Sequence, residues 1–160
     1  MRILRHLFIP DWVAMRAFPA SALKDIESAI SASESSHRGE LRFAVEGSLP
    51  LQFVSLTPRQ RAEQLFSLLR VWDTAENSGV LIYVQLLDHA IEIVADRGIA
   101  AKVAQAEWEA ICRSMQADFA RGDFGKGSLQ GIRQATALLS RHFPAGAHDA
   151  NELPDRPVIL

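Results

Sequence analysis

The sequence predicts a mixed α/β domain, on three observations. Two β-rich runs, residues 80–86 and 90–95, flank the short break Leu87-Asp88-His89, which is the pattern of a hairpin. Ahead of it, an alternating strand and a capped helix lead into the hairpin, the order of a crossover unit. Behind it, two long stretches carry apolar residues at helical spacing.

Size and charge narrow the class. At 160 residues the chain is long enough for one domain with a real core. Its 48% apolar and 22% charged residues are ordinary for a globular protein. A net charge of −2 and a pI near 6.2 argue against binding dominated by nucleic-acid phosphates. The lone cysteine, Cys112, excludes an internal disulfide. It lies on a helix's apolar stripe, where a thiol packs as a small hydrophobe rather than serving as a nucleophile.

Residues 1–20, MRILRHLFIPDWVAMRAFPA, form a basic amphipathic segment. Pro10, Asp11 and Arg16 break its apolar run, so it is neither a signal peptide nor a membrane span. The cytoplasm is therefore the expected compartment. Ile3, Leu4, Leu7 and Phe8, with Arg2, Arg5 and His6, could pack on the domain, meet a partner or touch the inner membrane face.

A first firm helix is expected over 21–35, capped by Ser21, with Leu23, Ile26 and Ile30 on one stripe. The run ELRFAVE, 40–46, alternates. Leu41, Phe43 and Val45 face one way, and Glu40, Arg42, Ala44 and Glu46 face a solvated side. Leu51, Phe53 and Val54 suggest a short added strand. Thr57-Pro58-Arg59-Gln60 reads as a capping box with proline in the first turn, starting a helix that carries Ala62, Leu65, Phe66 and Leu69. Asn77-Ser78-Gly79 turns the chain into the hairpin. Helices follow over 105–121, ended by Gly122, and over 128–143, closed by Pro144. Residues 144–160 read as an extended tail whose last apolar residues, Val158-Ile159-Leu160, dock on the domain or on a partner.

Several pieces together carry a family resemblance. They are Gly39-Glu40-Leu41-Arg42-Phe43-Ala44-Val45, Asn77-Ser78-Gly79-Val80-Leu81-Ile82, Asp88-His89, Ile91-Glu92-Ile93, Asp96-Arg97-Gly98-Ile99, and Phe119 with Gly122-Asp123-Phe124 and Gly127. In combination they resemble the TPM domain, named for a thylakoid-lumen phosphatase, a photosystem repair protein and a nematode receptor modulator. The stretch Leu69-Arg70-Val71-Trp72-Asp73-Thr74 and the tail are similar to a compact bacterial branch of that family. The resemblance covers residues 21–143. It implies a three-layer α/β/α sandwich around a small mixed sheet with a central hairpin. It also implies calcium or magnesium at acidic strand ends and an acid phosphatase activity in the plant branch. Two positions depart from the family: the first hairpin-turn acid is replaced by Leu87, and the loop before the hairpin is only Asp73-Thr74-Ala75-Glu76-Asn77.

Strand ends of open α/β sheets are where ligands bind. Asp73, Glu92 and Asp96 are the expected metal cluster, with Arg97 as a phosphate clamp. Asp88 is a further metal candidate set apart from them: with His89 it stands at the other end of the hairpin, about 26 Å from Asp96 in an extended strand. His37, His142 and His148 lack metal-ligand spacing and are expected at the surface. No nucleophile elbow, phosphate loop or dinucleotide fingerprint is present.

Two functions follow as expectations. One is an accessory or interaction module with a weak divalent-metal site, working through a protein partner, with a homodimer as a variant. The other is a metal-dependent phosphatase acting on phosphomonoesters. The module predicts scattered acids and an exposed apolar patch at Leu4, Leu7, Phe8 and Trp12, or at residues 158–160. The enzyme predicts three converging carboxylates.

Overall fold

The structure is a computed structural model that describes residues 2–10, 12–146 and 150–160, so His148 lies outside the described residues. In chain order the described elements are α1 (Arg2–Phe8), α2 (Trp12–Ala17), α3 (Ala20–Ser33), β1 (Glu40–Glu46), α4 (Pro58–Leu68), β2 (Gly79–Gln85), β3 (Ala90–Ala95), α5 (Arg97–Ala100), α6 (Gln105–Ala120), α7 (Phe124–His142) and β4 (Val158–Ile159).

The four strands form one mixed sheet in the order β3-β2-β1-β4. β1 and β2 are parallel, with Glu40 beside Gly79 and Glu46 beside Gln85. β2 and β3 are the predicted antiparallel hairpin, with Tyr83 opposite Glu92. The link between β1 and β2 starts where the sequence says it should. The Thr57 hydroxyl accepts the Gln60 amide at 3.2 Å, and the Gln60 carboxamide accepts the Thr57 amide at 2.9 Å. β2 then enters the sheet beneath Val71. A Cβ on Gly79 would collide with the Val71 carbonyl oxygen, so only glycine lets the two backbones approach.

Helices cover both faces, giving the α/β/α sandwich. On one face Leu41, Phe43, Val80, Ile82 and Val84 pack with Phe18, Ile26, Ile30, Trp108, Met115, Ile132 and Leu139. These come from the α2–α3 junction, α3, α6 and α7. On the other face Ala44, Leu81, Tyr83 and Val94 meet Ala62 and Leu65 of α4, then Val71 and Leu153. Each large side chain buried this way contributes about 1.5–3 kcal/mol.

Several expectations need correction. α3 begins at Ala20, so Ser21 sits inside its first turn, and no side chain caps the helix. Residues 51–53 form a short 3₁₀ turn instead of a strand. α7 begins at Phe124, four residues early, because Gly122 at φ +83° reverses the chain quickly. The polar side of β1 is not solvated: Glu40, Arg42 and Glu46 are buried beneath α4 and the tail. His37 is buried as well, bridging to Pro144 through the backbone.

The tail lies along the open edge of β1. Glu40 accepts the amides of Glu152 and Leu153, both at 3.2 Å. Arg42 donates to the carbonyls of Pro154 and Arg156. Val158 and Ile159 then pair with Ala44 and Val45 as β4. The tail thus covers part of the strand's edge and engages its two buried charges, although Arg42 Nε is left buried with no hydrogen-bond partner among the described residues.

Candidate functional site

Two polar groupings gather at the carboxyl ends of β1 and β2. The first is inside the sheet. Arg61 of α4 grips Glu46, the last residue of β1, with Nε at 3.1 and 3.2 Å from its two oxygens and Nη2 at 2.6 Å. Tyr83 of β2 donates its hydroxyl to the same carboxylate at 2.6 Å. Phe53 covers the guanidinium at 4.1 Å, and Nη1 donates to Gln64 at 3.1 Å. Burial, reinforced by the Glu46 charge, pushes the Tyr83 phenol far up. That hydroxyl is a fixed donor and cannot serve as a base. A cleft of about 470 Å³ opens beside the group, lined by His6, Leu7, Glu46, Ser48, Leu49 and Arg61.

The second grouping fastens α1 to the hairpin turn. Arg2 donates to Asp88 Oδ2 at 3.0 and 2.7 Å. Its Nη1 reaches the Val54 and Leu56 carbonyls at 2.7 and 2.8 Å. His6, one turn on and 5% exposed, meets Asp88 Oδ1 at 3.2 Å through Nε2. Its Nδ1 accepts the Leu49 amide at 2.9 Å. An accepting Nδ1 leaves the proton on Nε2, so the ring donates to Asp88 as the neutral tautomer. Burial alone would raise the Asp88 carboxyl. The hydrogen bonds of Arg2 and His6, with the Arg2 charge, outweigh it and hold Asp88 below the usual carboxylate range. The Gln85 side chain accepts the Asp88 amide at 2.8 Å and donates to the Gly47 carbonyl at 2.7 Å, fixing the turn.

The acids singled out from the sequence are not brought together. Asp73 is exposed and pairs with Arg70 at 2.6 Å. Asp96 opens α5, where Oδ1 accepts the Arg97 amide at 2.7 Å, and Oδ2 is buried with no hydrogen-bond partner. The Arg97 side chain is exposed. Glu92 lies at the β3 edge, 3.8 Å from Arg59 Nη1. Burial raises its carboxyl, Glu109 and Glu63 add to the rise, and Arg59 opposes it. Asp88 is committed to Arg2 and His6, and His89 occupies a left-handed turn position at φ 52°. Among the described residues, no group of three or more His, Cys, Asp or Glu could hold a metal ion. Calcium takes six to eight oxygens, and Asp96 alone keeps an unused buried one, so Asp73, Glu92 and Asp96 do not fit a calcium or magnesium site as they stand.

Cys112 is buried, as its helical stripe implies, and burial with nearby Glu92 pushes its thiol up to about 12. Sequence reasoning missed Arg61. The signal was present: Arg61 lies four residues before Leu65, on the buried side of α4 beside Ala62. A basic residue on a core-facing stripe requires a buried acid, and Glu46 is that acid.

A mixed sheet with two parallel central strands, a hairpin edge and helices on both faces defines this as an α/β/α sandwich domain. The model of the TPM domain matches residues 15–138. The chain belongs to the TPM domain family. It is similar to the BA42 protein of the psychrophilic bacterium Bizionia argentinensis, with 30% identity, a TM-score of 0.79, and coverage of 88% of this chain and 94% of that one. It shares its fold with the N-terminal domain of a protein from P. gingivalis, at 17% identity and a TM-score of 0.63, covering 82% of this chain and 83% of that one. A search of curated proteins finds no match. Among the described residues no helix is long and apolar enough to cross a membrane.

Proposed function

We propose that this TPM domain is an accessory module that works by docking, and that α1 and α2 are its docking element. One observation carries the reading. Of the eleven large apolar side chains exposed among the described residues, seven fall between residues 3 and 15, Leu4, Leu7, Phe8 and Trp12 among them. Phe8 is 73% exposed. Exposed apolar side chains scattered singly are ordinary; a run of this density marks a contact surface. The alternative patch at residues 158–160 is engaged in the sheet through β4. The dispersed acids offer phosphate hydrolysis no assembled centre, so the docking reading stands ahead of the phosphatase.

A photo-crosslinking residue at Phe8, compared in living cells with one at Leu68, tests this. Leu68 is just as exposed but lies at the end of α4. Adducts at position 8 and none at position 68 are expected. Absence at both, or equal yields, overturns the reading.

A further inference from the structure

We propose that the surface met by α1 and α2 is an anionic phospholipid bilayer. This rests on the docking reading above and names the partner.

The first argument is the orientation of α1. A surface helix normally turns its apolar stripe to the core and its charges to water. Here Arg2 and His6 point inward and bond to Asp88, Val54, Leu56 and Leu49, while Arg5 donates to the Leu87 carbonyl at 3.3 Å from the exposed side. Ile3, Leu4, Leu7 and Phe8 point outward and are all more than half exposed. The helix is held on the domain by its polar side, and the whole apolar side stays available. A frayed terminus would not be pinned by two side chains one turn apart.

The second argument is charge. Between residues 2 and 16 the sequence has Arg2, Arg5 and Arg16 against the single acid Asp11, while the whole chain is at −2. Arg5 and Arg16 are exposed beside the apolar residues. The Arg16 guanidinium lies 5.3 Å from the Trp12 ring centroid, so the two side chains sit together at one level. Apolar residues that enter the acyl boundary, with tryptophan and arginine at the headgroup level, are the makeup of a helix lying in a membrane interface. A second copy of the chain complements this surface poorly. Were the same segments to meet across a two-fold, the described α1 and α2 would offer no acid to the partner copy's arginines.

The test is flotation of the full chain with vesicles of phosphatidylcholine alone or mixed with phosphatidylglycerol. Binding to the anionic vesicles is expected to exceed binding to neutral ones roughly tenfold, through the exposed Arg5 and Arg16, and to fall with salt. Leu7→Ser with Phe8→Ser should abolish binding, and Arg5→Gln with Arg16→Gln should remove the anionic preference. All four side chains are exposed, so unchanged melting temperatures verify the fold of each variant. A blue shift of fluorescence on binding, lost in Trp12→Phe, places the segment in the bilayer. No flotation, or equal flotation with both vesicle types, overturns the proposal. Protein adducts at position 8 without vesicle binding overturn the lipid partner and leave the docking reading intact. Absence of both adducts and flotation overturns the two together. A concentration-dependent dimer abolished by Phe8→Ser also overturns the lipid proposal.

Discussion

The Tyr83 hydroxyl donates to Glu46 at 2.6 Å from the neighbouring strand, and Arg61 closes on the same carboxylate from the helix above. Three elements, β1, β2 and α4, are tied at one buried point. Glu46 is 1% exposed, so its charge has no water to fall back on. The group is fully satisfied by its own members, which is the condition under which a buried ion pair is tolerated.

Removing one member leaves the others uncompensated. Glu46→Ala is expected to cost about 3–5 kcal/mol, because the Arg61 cation stays buried without its counter-ion. Tyr83→Phe removes one hydrogen bond to a charged group and should cost about 1.5–3 kcal/mol. Urea unfolding of the two variants measures both. A loss for Glu46→Ala no larger than for an exposed substitution would show that Arg61 finds another partner.

Asp88 couples α1 to pH. Its carboxyl is held below the usual range in the fold, so the fold favours the charged form. The contribution is complete above the unfolded value of about 3.9 and is lost as pH falls through the lower folded value. Amide exchange of residues 3–8 should therefore quicken in acid before the core opens. Asp88→Asn should bring that exchange on at neutral pH and flatten its acid dependence. Unchanged protection of α1 in Asp88→Asn would mean that the Arg2 bonds to Val54 and Leu56 suffice alone.

The sheet was legible from sequence wherever local chemistry decided it. The capping box at Thr57 and the hairpin break at Leu87-Asp88-His89 stand close to where their residues put them. The ranges of β1 and β3 match their patterns for the same reason. Partnerships made across the fold were not legible. Glu40 and Arg42 alternate as solvent-facing residues do, yet they hold backbone groups of a tail more than a hundred positions away. Asp88 reads as turn chemistry or a ligand, and its partners Arg2 and His6 lie over eighty positions away. The grouping of Asp73, Glu92 and Asp96 assumed that acids near strand ends converge. Asp73 instead turns to its own helix end, Asp96 to the amide that follows it, and Glu92 to the β3 edge.

Glu92 is the opposite case to Asp88. Burial and the neighbouring Glu109 and Glu63 raise its carboxyl, so the fold disfavours the charged form. Its contribution is favourable below the unfolded value of about 4.3 and is lost as pH rises through the higher folded value. Glu92→Gln should therefore raise the melting temperature at neutral pH, with the gain disappearing near pH 4. A fall at neutral pH would mean that the Arg59 contact outweighs the desolvation.

The separated acids also predict a metal titration. Melting the chelated protein with added calcium, magnesium or manganese should give no saturable rise, because the described acids do not gather into a group that could cage a hard cation. A saturable rise abolished by Asp96→Ala but not by Asp73→Ala would instead place a site at the start of α5, with backbone carbonyls as the other ligands.

Cys112 yields the last prediction. Its thiol is buried against Ile93 and Glu92 at the β3 edge, and desolvation pushes it up to about 12. At neutral pH the reactive thiolate is then scarce, and the sulfur is shielded as well. A thiol reagent should leave the native protein unlabelled over the time in which it labels the urea-unfolded chain completely. Labelling should appear only as dilute urea promotes opening of α6 from β3, because the buried sulfur reacts only once it is exposed. Rapid labelling of the folded protein without urea would show an accessible thiolate and return Cys112 to consideration as a reactive group.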